Sequence, residues 1–353
     1  MNKKKALKWF GVFVVAVMLL PALATYTFDP FYQYHMPFFN LEASLYDRDN
    51  QVVGTIRTFD YDSVFLGSSV AENFDSSFLD DRYNCKTLKI SRAAGSIADL
   101  LYYMDMAHEK QDIKNVFWCM DIFALTAPTE VTLHNESIPR YLHTETVLDD
   151  ITYLYNKDIL FREIPLSIAN SIMDKNTGGN AYNWAADKTF STQQAMLAYV
   201  KPNTVIQSVP VSDEKKQLID TNISMVIEEI TSHPNTEYTI IFPPYSLLWW
   251  DCGYSNGLAN EYFLVLETIL PKLLEYENVT IYYFQSEKEI VCDLNNYMDM
   301  VHYSPAINQH MLNCIANGEN QVTYENLDKV INDMHSTFDY IISEGIYEYY
   351  NKE

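Results

Sequence analysis

The sequence predicts an α/β protein: a mostly parallel five-stranded sheet with helices on both faces, a helical insertion, and an N-terminal membrane segment. Three observations predict it. Apolar runs of strand length, in "DSVFLGSS", "CKTLKISRAAG", "KNVFWCMDIFAL", "EYTIIFPPYS" and "NVTIYYFQ", recur along the chain. Helical patterns such as "IADLLYYMDMAHEKQ" and "ANEYFLVLETILPKLLEYE" fall between them, and this alternation is the signature of βαβ units. The chain also opens with a basic stretch followed by an apolar one.

Taken in order, "MNKKKALK" is basic and "WFGVFVVAVMLLPALA" is apolar, so residues 1–25 read as a signal-anchor or a signal peptide. The run from Trp9 to Thr25 is close to the shortest helix that crosses hydrocarbon, and Ala22-Leu23-Ala24 resembles a peptidase site. The anchor is the favoured reading, with the lysines inside and the remainder extracytoplasmic. Cleavage after Ala24 would give a secreted protein instead. Residues 26–60 mix aromatics, prolines and charges without a sustained period and read as a lead-in. Residues 61–353 form the α/β domain, interrupted near 128–235 by a polar, helical insertion. Its Gly178-Gly179 pair reads equally as part of a substrate lid or of a surface excursion. The last strand leads to the helix "PAINQHMLNCIAN", capped by Gly318, and Tyr324 to Tyr350 read as one packing helix.

Composition excludes some functions. With 24 Lys+Arg against 47 Asp+Glu the net charge is -23, which repels phosphate backbones and excludes nucleic acid as a partner. The five cysteines are scattered without a Cys-x-x-Cys pair, so neither a zinc site nor a disulfide framework follows, and no cofactor or metal is expected.

The chemistry centres on "FLGSSVAENF". A buried strand that ends in Gly67-Ser68-Ser69 and feeds helix-opening residues can expose a hydroxyl at a sheet edge, where α/β proteins gather reactive groups. A turn or N-cap serine would read the same way in isolation. Serine needs a base to act as a nucleophile, usually an imidazole oriented by a carboxylate. Of the eight histidines, His302 follows the last strand in "MDMVHYSPAIN", with Asp299 three residues before it. Ser304 and Pro305 suit the N-cap and first position of the next helix and would fix where the loop ends.

Gly67-Ser68-Ser69, Gly95 in "SRAAGS" and Asp299-x-x-His302 together resemble the SGNH (GDSL-like) hydrolases over roughly residues 61–318. The likeness is closest to their envelope-anchored branch, which includes teichoic-acid D-alanylation and alginate O-acetylation proteins. The resemblance implies a flavodoxin-like three-layer sandwich, Ser69 as nucleophile, His302 as base, Asp299 as its orienter, and the amides of Ser69 and Gly95 as oxyanion donors. It also implies an esterase or O-acyltransferase acting on acyl groups of a cell-envelope glycan or polyol, with a membrane O-acyltransferase as partner. The chain departs from the family in two places. Gly-Asp-Ser has become Gly-Ser-Ser, and the block that supplies an asparagine donor reads "WCMDIF", so Asp121 stands at a strand end where an ionised carboxylate cannot donate. Ser68, Arg92 and Asp121 are expected to wall the site, with Ser68 also a second candidate nucleophile. A non-catalytic, glycan-binding accessory of the same fold is the rival expectation.

Overall fold

The computed structural model describes residues 3–133, 138–144, 146–200 and 209–350. From the N-terminus the elements are α1 (Lys3–Phe28), α2 (Arg48–Thr58), β1 (Ser63–Gly67), α3 (Ser76–Tyr83), β2 (Thr87–Ser91), α4 (Ile97–Lys110) and β3 (Asn115–Cys119). There follow α5 (Val147–Leu154), α6 (Ile164–Ile172), α7 (Thr192–Leu197), α8 (Asp213–Ser232), β4 (Glu237–Phe242), α9 (Leu247–Ser255), α10 (Ala259–Leu273) and β5 (Val279–Tyr283). The chain closes with α11 (Lys288–Val291), α12 (Pro305–Asn317), β6 (Gln321–Val322), α13 (Leu327–Tyr340) and α14 (Tyr347–Tyr350).

The chain divides into two compact units, Met1–Asp60 with Leu133–Ala181, and Tyr61–Thr132 with Tyr182–Glu353. In the first, α1 is 26 residues long, about 39 Å at the usual rise, and apolar enough to cross a membrane. Residues 26–60 are not irregular throughout: they contain α2, capped by the Asp47 carboxylate on the Asn50 amide, which buries Val52, Val53 and Ile56. The buried Asp29 carboxylate gathers the amides of Gln33, Tyr34 and His35 and the Tyr153 hydroxyl at 2.7–3.1 Å, joining the start of this stretch to α5.

The second unit carries the sheet, in the order β2-β1-β3-β4-β5-β6. Among the described residues the sheet has six strands, not the five expected. The first five are parallel, while β6 turns back antiparallel onto β5 through Ile281–Val322 and Tyr282–Gln321. At two residues β6 is too short to leave a periodic signal in sequence. Strands β1 to β5 bury nearly every position, which is why they read as continuous apolar runs.

Of the stretch read as an insertion, residues 133–181 fall in the first unit, whereas the part from Tyr182 onward belongs to the sheet unit. There α8 supplies the crossover from β3 to β4, burying Ile219, Ile223, Val226 and Ile230 at helical spacing. Helix α9 was not anticipated, since "LLWWDCGYS" is apolar on nearly every side and shows no period. The C-terminal stretch is two helices, α13 and α14, separated by a widened π-type turn at Ile341–Gly345 rather than one continuous helix.

Candidate active site

Strand β1 lies between β2 and β3, where the order of connections reverses, and in open α/β sheets this reversal leaves a crevice beyond the carboxyl ends of the strands. Gly67 ends β1 there. A Cβ on it would fall 2.8 Å from both the Ala71 Cβ and the Cys119 carbonyl oxygen, so no larger residue fits while β3 stays in register. Ser68 continues in extended backbone and is buried. Ser69 then opens the single helical turn Ser69–Ala71, which aims its partly exposed side chain away from the core.

Ser69 Oγ lies 2.8 Å from His302 Nε2, although the two residues are 233 positions apart. His302 Nδ1 lies 2.7 Å from Asp299 Oδ2. A carboxylate accepts from Nδ1–H, which leaves Nε2 as the acceptor facing the serine hydroxyl. Asp299 is itself held, because its Oδ1 accepts from the amides of Val301 and His302 at 2.9 and 2.8 Å. Burial pushes the Asp299 carboxyl up, but the His302 ring and these two amides outweigh it, and the group sits below its ordinary value. It stays ionised beside the imidazole.

The loop around them is closed by a bridge between Tyr297 and Tyr303 and by Met298 N–H to His302 carbonyl at 3.0 Å. Ser246 supports its tip, donating from both its amide and its hydroxyl to the Met300 carbonyl at 3.1 and 2.8 Å. Tyr303 donates to the Val70 carbonyl at 3.2 Å, which ties the histidine loop directly to the serine turn. Ser304 does occupy the N-cap of α12 and Pro305 its first turn, but the Ser304 side chain makes no capping bond.

Two expected wall and donor residues differ from expectation. The Gly95 amide donates to the Arg92 carbonyl at 3.0 Å, closing a turn through Ala94 in the left-handed region, and is therefore engaged within its own loop rather than held toward an oxyanion. Arg92 is 4% exposed and its amide donates to the Gly67 carbonyl at 3.1 Å, so it hooks the end of β2 to the end of β1 and presents no surface guanidinium. The Ser69 amide, by contrast, has no backbone acceptor among the described residues.

Asp121 follows β3 and is buried. Its Oδ1 accepts from the Tyr245 hydroxyl, while Oδ2 is enclosed without a hydrogen-bond partner and Ser68 lies alongside. Burial pushes this carboxyl up to about 6, against the pull of the Ser68 and Tyr245 hydroxyls and of His302. Near neutrality the carboxyl can switch between an acid that donates and a carboxylate that only accepts.

Trp184 was missed. Its indole N–H donates to the Ser69 carbonyl at 3.0 Å, its amide donates to Asn73 Oδ1 at 3.1 Å, and its ring stands edge-on to His302 with centroids 5.2 Å apart. A tryptophan inside the polar "NTGGNAYNWAAD" was the available signal, since an indole in such a stretch has to find cover somewhere. Comparison of the chain with protein-family models, curated proteins and solved structures gave no match.

Proposed function

We propose that the sheet unit is a serine esterase or O-acyltransferase of SGNH type, held on the extracytoplasmic side of a membrane by α1. The observation that carries this reading is the relay Asp299 to His302 to Ser69, at 2.7 and 2.8 Å. Strand order β2-β1-β3-β4-β5 supports a flavodoxin-like layering, and it brings the serine turn to the reversal point such folds use for ligands.

In this mechanism Ser69 Oγ attacks the carbonyl carbon of an acyl ester while His302 Nε2 takes the hydroxyl proton. The imidazolium so formed is stabilised by ionised Asp299. The oxyanion accepts from the Ser69 amide. Collapse expels the alcohol, which leaves with the proton from His302, and Ser69 carries the acyl group. Water or an acceptor hydroxyl, deprotonated by His302, then releases it. Hydrolysis and transfer share every residue up to that last acceptor. The substrate class, an acylated envelope glycan or polyol, and a membrane O-acyltransferase partner are proposed from the resemblance and the N-terminal helix together.

A second reading, a glycan-binding accessory, is favoured by one specific observation: the Gly95 amide is engaged within its own loop. A fluorophosphonate probe separates the two. The enzyme reading expects covalent labelling that disappears in Ser69→Ala and falls at least a hundredfold in His302→Ala. Folded protein that takes no label would establish the accessory instead.

A further inference from the structure

Helix α12 carries a second polar cluster that the relay does not use. His310 and Cys314 stand one turn apart on the same side of α12. Glu287, in the turn after β5, brings its carboxylate oxygens to 2.9 and 3.2 Å from His310 Nε2. Cys314 Sγ lies 3.6 Å from that nitrogen, and Glu319 Oε2, just past the Gly318 cap, lies 3.7 Å from the sulfur.

These spacings have a chemical meaning. Zinc bonds of about 2.0–2.1 Å to nitrogen or oxygen and about 2.3 Å to sulfur, at tetrahedral angles, put neighbouring ligand atoms about 3.3–3.6 Å apart. We propose that Glu287, His310 and Cys314, whose ligand atoms all lie within 4.8 Å of one another, bind one divalent cation of the zinc class, with Glu319 beside the sulfur. A thiolate and an imidazole together discriminate against magnesium and calcium, which take oxygen ligands. On binding, the Cys314 thiol gives its proton to solvent and the thiolate coordinates; nothing is oxidised.

The surroundings favour the cation: two carboxylates, Glu287 and Glu319, converge on the same corner with no Lys or Arg ion pair to either among the described residues. The Asn320 amide donates to Glu287 Oε1, the kind of outer contact that orients a ligating carboxylate. Cys314 is 2% exposed, whereas the His310 side chain is 39% exposed, so the site has a dry floor and an open entrance. Glu287 precedes and α12 follows residues 288–304, the segment bearing Asp299 and His302, so the cation would fasten both ends of the histidine loop's segment.

The test uses the full-length chain in detergent, dialysed against a chelator and titrated with Co2+. The expected result is one Co2+ per chain, with tetrahedral visible bands and a thiolate-to-cobalt charge-transfer band, displaced by Zn2+. Cys314→Ser should abolish the charge-transfer band, and His310→Gln, at a half-exposed position that leaves the core intact, should weaken binding at least tenfold. Ser69→Ala should bind as the unaltered chain does, which separates this proposal from the catalytic one. Absence of stoichiometric binding, a charge-transfer band that survives Cys314→Ser, or unchanged affinity in His310→Gln would each overturn it.

Discussion

Asp121 and Asp299 are two carboxylates of one site with opposite pH behaviour. The Asp121 carboxyl is held near 6 in the folded protein, above the ordinary 3.8, so the unfolded chain loses this proton first as pH rises. Its contribution to stability is intact below about pH 4 and is lost on passing about pH 6, on the order of 3 kcal/mol. Asp121→Asn should therefore raise the urea midpoint at about pH 8 and leave it nearly unchanged at about pH 4; equal effects at both would refute the assignment. The same substitution bears on chemistry. If the protonated acid is the second oxyanion donor, probe labelling of the unaltered chain declines above about pH 6, whereas Asp121→Asn keeps its rate there, as a permanent N–H donor should. Asp299 runs the other way: its carboxyl is lowered, so its contribution is present above about pH 4 and fades as pH falls through the lowered value. Asp299→Asn can still accept from the Val301 and His302 amides but no longer holds His302 in the required tautomer. Labelling should drop by about three to four orders of magnitude with the far-ultraviolet circular dichroism unchanged.

Among the elements, β1 and the helix pair α4/α8 make separate predictions. Gly67→Ala puts a methyl group 2.8 Å from the Cys119 carbonyl oxygen, a backbone atom that cannot swing aside. The sheet must part locally, at a cost of about 1–3 kcal/mol measured by urea unfolding, and labelling should fall because the serine turn begins at the next residues. Between the helices, Glu229 on α8 faces His108 of α4 at 2.9 Å and the Tyr238 hydroxyl of β4 at 2.9 Å, with His233 at 3.5 Å. Burial pushes Glu229 up, yet His108 and His233 bring it below its ordinary value, so it is ionised where it sits. Glu229→Gln should destabilise by about 1–3 kcal/mol, since the neutral amide keeps one acceptor oxygen but loses the charge and the second acceptor that face the two imidazoles; no change in the urea midpoint would mean that the clamp is idle. Helices α4, α10 and α12 were legible because their apolar residues recur at helical spacing and, for α12, because Pro305 and Gly318 mark its ends. Helix α8 was read only as part of a polar, helical insertion. Its role as a crossover depends on β3 and β4 being neighbours, and the long stretch between them hid that.

For the molecule as a whole, the testable property is attachment. α1 exposes Trp9, Phe10, Phe13, Leu19, Leu20 and Leu23, and none of its apolar window is buried in the protein. The full chain should stay with the membrane pellet in alkaline carbonate, and protease added from the outer side should remove everything beyond the helix. A soluble chain whose mature N-terminus begins after Ala24 would replace the anchor with a cleaved signal. Since Lys3, Lys4, Lys5 and Lys8 lie in α1, the part beyond it is more negative than the chain's -23 and should be repelled by anionic lipid, so that α1 holds the protein on the bilayer and salt washing has no effect.

Local pattern was enough for the strands β1 to β5, for their parallel pairing, for the apolar N-terminal helix and for singling out Ser69, Asp299 and His302, which the structure brings within hydrogen-bond distance of one another. Each of these follows from residue spacing or from a short motif, and spacing survives without coordinates. What emerged only in three dimensions concerns single hydrogen bonds and long-range neighbours. The Gly95 amide is spent on Arg92, Arg92 is buried, Trp184 lies against the Ser69 turn, β6 adds an antiparallel edge, and Glu287, His310, Cys314 and Glu319 meet at one corner. Periodicity reports which face of an element is apolar, but which atoms face one another across elements is set by packing, and packing is not a local property of the chain.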